Sequence, residues 1–331
     1  MIDLLSLPFM QRALIAAIFT GLAAPAVGTY LVQRRLALMG DGIGHVAVTG
    51  VAVGLVTGTS PTWTAVVVAV LGAILIEVIR ERGHANGDVA LALLFYGGLA
   101  GGVLITGLGG QSTLRLQQYL FGSITSITAG DVVVTMALAA VVITLCVGLA
   151  PQLFAVALDE EFARVAGLST RFYNVLVAVV AAVSVTVAMR TVGLLLVSAL
   201  MVVPVATAQQ VTRSFRSTLW LAMGLGVLAS LGGLLVSTFA PYGADVAPGP
   251  TIVLVALLGF VLAWPAGVLI RQRRRREAPF AGDVPPEHLT TDHEHLHGKE
   301  CGHPAVPHGD HIDYVHDGHR HAAHGKHYDE H

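Results

Sequence analysis

The sequence predicts an all-α polytopic membrane protein of about nine transmembrane helices, followed by a polar, histidine-rich tail. Three observations predict it. Of the 331 residues, 54% are hydrophobic and 12% charged, with a mean hydropathy of +0.71, far more apolar than a soluble domain requires. Apolar runs of about 20 residues, the length that crosses a bilayer, recur up to Arg271. Arginines gather in every second connection between those runs.

The runs are residues 12–32, 37–57, 62–79, 88–108, 131–156, 172–189, 192–211, 217–239 and 250–270. The first follows "MIDLLSLPF" and reads as a span, not a cleaved leader, because no basic residue precedes Arg12 and the strong pair, Arg34/Arg35, comes after it. Arginines follow at Arg80/Arg82, Arg164/Arg171, Arg213/Arg216, and Arg271 with Arg273 to Arg276, whereas the alternate connections hold Arg115 and Arg190. The positive-inside rule then places the amino terminus outside and the carboxyl end in the cytoplasm. Gly50, Gly54 and Gly58 form one ridge of small residues for close helix packing, and Gly97/Gly101 with Gly98/Gly102 another. Cys146, mid-membrane, and Cys301, in the tail, lie too far apart in this topology to pair.

Residues 1–270 therefore form a transmembrane domain, and 271–331 a separate segment. That segment opens on a basic juxtamembrane stretch suited to anionic headgroups, and nothing in it suggests nucleic-acid binding. It holds 13 of the 15 histidines, mixed with Asp, Glu, Gly and Pro, and is expected to be disordered without a ligand.

Within the second run, "ALMGDGIGHVAVTG" sets Asp41 and His45 four residues apart, on one helix face with Thr49 and Ala52. Such a pair has Cβ atoms about 5–6 Å apart, close enough to share one cation with help from a neighbouring helix. The spacing equally suits a buried Asp–His hydrogen bond or a proton relay, and ionisable groups inside a bundle are functional by default. Glu77 sits one turn from Arg80, and an interfacial ion pair is its expected fate. His84 and Asp88 flank the start of the fourth helix, where Asp88 also favours the positive end of the helix dipole. Glu77, His84 and Asp88 stand as secondary candidates for a transport path.

Between the fifth and sixth runs comes "ALDEEFARVAGLSTRFYN". Asp159 can cap a short helix with Glu160 and Glu161 in its first turn, Arg164 in its last and Gly167 as its stop. Phe162, Val165 and Ala166 give it an apolar stripe, fit for the bundle or for a soluble partner.

These stretches, with "GDVALALLFYGGLAGG", "LQQYLFGSI" and "VGLLLVSALMVVPVATA" in order, resemble the membrane subunit of zinc and manganese uptake ABC transporters, the ABC-3 permeases. The resemblance covers about residues 12–268; Gly44 stands where that family often carries serine, and Val46 where alanine or serine is expected. It implies a type II importer-like permease in the inner membrane of a bacterium, with Asp41 and His45 matching the intramembrane metal motif and Asp159 to Gly167 the helix that docks in an ATPase. It also implies two ATPase subunits, a second permease copy, and an extracytoplasmic metal-binding protein meeting loops that include 109–130 and 240–250. Pro204 and its small neighbours on the seventh helix would permit bending during alternating access.

The chain has no G-x-x-x-x-G-K-[ST], so ATP acts through the partner, and no tightly bound cofactor is expected. The tail's His293, His295, His297, His308, His311, His316, His319, His321, His324 and His327 suit Zn²⁺, Ni²⁺ or Cu²⁺, and point to a metal buffer or sensor. Their spacing looks irregular, which argues against one rigid site. The tail makes zinc the expected cargo, with manganese the alternative. A stand-alone secondary carrier, a siderophore or cobalamin permease, and a metalloprotease resting on His293-Glu294-x-x-His297 are the competing classes.

Overall fold

The computed structural model describes residues 7–81, 87–110, 119–120, 127–239, 246–277, 289–290, 301–308, 311–316, 319–324 and 327–330. Two contact units divide the chain, Met1–Val268 and Leu269–His331.

The first unit is helical. In order come α1 (Pro8–Gln33), α2 (Met39–Thr57), α3 (Pro61–Glu81), α4 (Gly87–Leu108), α5 (Ala129–Gly148), α6 (Ala150–Leu158), α7 (Glu160–Val165), α8 (Thr170–Val192), α9 (Leu194–Val211), α10 (Phe215–Thr238) and the start of α11 (Pro248–Glu277). Among the described residues, eight helices are long and apolar enough to cross a membrane, and a shorter apolar one, Leu196–Val211 within α9, adds a ninth. The fifth run is not one helix, however. It breaks at Leu149, the C-cap of α5, and restarts as α6 with Pro151 in its first turn, where a missing N–H costs nothing.

Local chemistry sets most boundaries. Thr128 and Asp131 form a reciprocal capping box at α5, and Ser214 and Ser217 do the same at α10. The α1–α2 joint is a Schellman turn, in which Leu36 N donates to Leu31 O (2.8 Å) and Arg35 N to Val32 O (3.0 Å). Arg35 takes the left-handed position, φ 59°, that glycine or asparagine normally fills.

Helices α1, α2 and α8 are mostly buried, while α4 and α11 expose apolar side chains such as Leu93, Leu104, Leu254 and Leu262, the surface expected to meet lipid. Tyr30 of α1 is fully buried, donates its hydroxyl to Cys146 O, and packs on Phe215 at 5.1 Å. α2 packs chiefly against α4 and α3, and α1 against α10 and α5.

The tail, expected to be disordered without a ligand, contains strands in its described part. Five short strands, β1 (Leu289–Thr290), β2 (Ala305–His308), β3 (His311–His316), β4 (His319–His324) and β5 (His327–Glu330), pair antiparallel in the order β1-β5-β4-β3-β2. The physical reason lies in the connections. Only two residues separate β2 from β3, β3 from β4 and β4 from β5, and their sequences, Gly-Asp, Asp-Gly and Gly-Lys, have hairpin composition.

Candidate functional site

Asp41 occupies the first turn of α2, where backbone N–H groups lack helical partners and the dipole favours an anion. His45 follows one turn later and is 7% exposed. Its Nδ1 lies 2.9 Å from the Asp41 main-chain oxygen, an acceptor only, so Nδ1 is the donor in that contact. The same Nδ1 is 3.8 Å from Asp41 Oδ1. From α9, Ser198 Oγ lies within donating distance of Asp41 Oδ1, at 3.2 Å. From α4, the Phe95 ring lies over His45 with centroids 4.0 Å apart.

Close helix approach holds this arrangement. A Cβ on Gly98 would lie 2.6 Å from both His45 C and Val46 N, so α4 meets the α2 backbone only because residue 98 has no side chain. Thr49 Oγ1 donates to Gly98 O at 2.6 Å, one turn beyond His45 on the same face. A Cβ at Gly44 would meet Leu194 Cδ1 at 1.9 Å, so the Leu194 side chain would have to move for any other residue there. Among the described residues no trio of His, Cys, Asp or Glu is arranged to hold a metal ion.

Glu77 does not join that pair. It is buried in α3, 3.2 Å from Arg34 Nη1 and 3.0 Å from Arg80 Nη2, a two-arginine clamp that satisfies its charge. Burial pulls the Arg34 guanidinium below its ordinary value, and Glu77 opposes the shift. Next to it, Arg171 Nε reaches Glu81 Oε2 at 3.1 Å. A cavity of about 380 Å³ lined by Glu77, Arg80, Glu160, Arg164, Arg171 and Asn174 brings this cluster to the short helix α7.

α7 is built as its sequence predicts. Asp159 Oδ1 accepts from Phe162 N at 2.9 Å, and Arg164 lies 3.5 Å from Glu160. Gly167, φ 85°, closes a second Schellman turn, with Leu168 N donating to Ala163 O at 3.0 Å. Ala163 faces inward and is fully buried, whereas Phe162 (67%), Val165 (88%) and Ala166 are exposed. Glu161 lines the cavity above. The apolar stripe is thus not used by the bundle.

Pro204 lies inside α9, buried beside Val205. Asp88 is the second residue of α4. His84, His293, His295 and His297, and with them the His-Glu-x-x-His match, lie outside the described residues. Sequence reasoning missed Ser198, Phe95, Arg34 and Ala163. Only Ser198, a lone hydroxyl in the apolar "GLLLVSALMV", carried a local signal.

Comparison with known proteins agrees with this architecture. The manganese import system permease protein ScaB of Streptococcus parasanguinis is 32% identical over 270 residues, 82% of this chain and 94% of that protein. The manganese transport system membrane protein MntC of Halalkalibacterium halodurans is 32% identical over 281 residues, covering 83% and 94%. Among solved structures, PsaBC from Streptococcus pneumoniae in complex with Fab superposes with a TM-score of 0.71 at 33% identity, covering 80% of this chain and 94% of that one. A profile of the ABC 3 transport family matches residues 6–266, which is the helical unit almost from end to end; the chain belongs to the ABC 3 transport family.

Proposed function

We propose that the chain is the permease subunit of an ATP-driven divalent-metal importer in a bacterial plasma membrane, and that Asp41 and His45 hold the metal on its way through. The observation that carries this is the pair itself, a carboxylate and an imidazole one turn apart, His45 buried, within a bundle of apolar helices. Nδ1 and Oδ1 stand 3.8 Å apart one helical turn from each other, so a small side-chain adjustment brings both onto one ion. An entering ion competes with the Nδ1–H bond to Asp41 O, and Ser198 steadies the carboxylate. Gating belongs to the α9 segment around Pro204, a break in the helix ladder on the helix that also carries Ser198.

The exposed Phe162 and Val165 of α7 are the anchors for an ATPase subunit, with Asp159 and Gly167 fixing the helix that presents them. The arginine-rich connections support a cytoplasmic side for that face and for the tail. An extracytoplasmic binding protein delivers the metal on the opposite side, and a second copy of the permease completes the path.

The cargo follows from the bundle, not from the tail. The tail, which favours zinc, lies beyond the part of the chain that matches the family. The path pair is mixed oxygen and nitrogen, which manganese accepts, and relatives at 32% identity carry manganese in their names. Manganese is therefore the first reading and zinc the second. The test is uptake of each metal into vesicles holding the chain, its ATPase and its binding protein. ATP-dependent uptake that disappears in Asp41→Ala/His45→Ala is expected; undiminished uptake in that variant would refute the role of the pair.

A further inference from the structure

Where α5 stops and α6 restarts, the bundle leaves a groove. Gly148 ends α5, Pro151 opens α6, and Phe215 to Trp220 form the first turns of α10. α5, α6 and α10 all pack on α1. Phe154 of α6 and Phe215 of α10 meet with ring centroids 4.4 Å apart. Between these helices lies a cavity of about 490 Å³, lined by residues that include Gly148, Pro151, Phe154, Phe215, Arg216 and Trp220. That volume falls within the range of about 300–1,000 Å³ typical of small-molecule sites. A Cβ on Gly148 would meet nothing within 4 Å, so one wall of the groove is open.

The lining carries a single charge. Arg216 lies in the first turn of α10, where the helix dipole also favours an anion. Arg34, Arg80, Arg164 and Arg171 each reach a glutamate. Arg216 and the neighbouring Arg213 are exposed, and among the described residues neither has a carboxylate partner. Trp220, 51% exposed, follows one turn further into the span. An indole belongs at that depth, where headgroups give way to hydrocarbon. Gly148 and Arg216 stand at the ends of two helices long enough to cross a membrane. The groove therefore opens at headgroup level, with its apolar walls running toward the acyl chains.

We propose that this groove binds one anionic phospholipid, its phosphate on Arg216 and an acyl chain laid between α6 and α10 over the Phe154–Phe215 pair. Charge complementarity selects the headgroup. An unpaired guanidinium gains most from a phosphate whose negative charge no choline offsets, and basic pockets between membrane helices on the cytoplasmic side take acidic lipids for this reason. The arginine-rich connections favour that same leaflet. The inference rests on the chain spanning a membrane and is independent of the metal it carries.

The test uses Trp220 as reporter. Full-length protein with Trp63→Phe and Trp264→Phe keeps it as the one tryptophan. The protein is reconstituted in vesicles of phosphatidylcholine and phosphatidylglycerol, with bromine on the acyl chains of one lipid or the other to quench indole fluorescence by contact. At matched mole fractions, phosphatidylglycerol should occupy the site with about fivefold preference over phosphatidylcholine. Arg216→Gln should bring that preference to about one. Gly148→Leu, which fills the open wall and leaves the arginine in place, should also remove it. A protein retaining only Trp63, which is 59% exposed, gives the reference for lipid on an open helix surface. Equal quenching of Trp220 by the two lipids, or a preference that survives Arg216→Gln, overturns the proposal. Trp220 fluorescence that neither lipid quenches also overturns it, and assigns the groove to a protein neighbour.

Discussion

Gly98 offers a direct test of the packing that holds His45. A methyl placed there would sit 2.6 Å from His45 C and Val46 N, backbone atoms that cannot swing aside. Reaching ordinary contact at about 3.4 Å or more requires α2 and α4 to separate by about 0.8 Å locally. That separation strains the 2.6 Å hydrogen bond from Thr49 to Gly98 O and the Phe95–His45 ring contact. Overpacking costs about 1–3 kcal/mol and a lost hydrogen bond about 1 kcal/mol, so Gly98→Ala should destabilise by about 2–4 kcal/mol relative to a neutral site. Gly97 supplies that reference, because a Cβ there meets nothing within 4 Å and both substitutions gain the same helix propensity. Thermal unfolding in detergent should separate the two variants by roughly 5 °C, and metal uptake should fall in Gly98→Ala alone. Equal melting of the two would refute the close approach of α4 to α2.

Glu77→Gln should cost about 3–5 kcal/mol, because Arg34 and Arg80 are left facing a neutral group in a buried setting. Arg34→Met combined with Glu77→Leu should recover most of that loss; a Glu77→Gln variant that melts like the parent would show the clamp to be energetically idle. Phe162→Glu/Val165→Glu should leave melting within about 0.5 kcal/mol, since both side chains are exposed. The same variant should no longer co-purify with the ATPase subunit, and retention of that partner would remove α7 as its anchor.

Two parts of the molecule were legible because their signals are local. Hydropathy over a window reports burial in a bilayer whatever the neighbours are, so the spans emerged nearly in full, α9 only shorter than the rest. Caps act within one turn, so Asp159 and Gly167 bounded α7 from sequence alone. The fifth run failed for a related reason. Gly148, Leu149 and Pro151 interrupt the hydrogen-bond ladder without interrupting hydropathy, and a window sees only the latter.

The sequence by itself determined that this chain is a multi-pass membrane protein and that Asp41 and His45 share one helical face. What surrounds that pair was decided only in three dimensions. Ser198 is 157 residues from Asp41, and Arg34 is 43 from Glu77, so no periodicity connects either partner to its mate. The tail shows the same division more sharply. Its histidines look unordered along the chain, yet strand register sets His308 opposite His311 and His324 opposite His327. Side-chain type and local spacing are properties of the chain; the meeting of helices and the register of strands arise from long-range packing and pairing, and these settle which groups become neighbours.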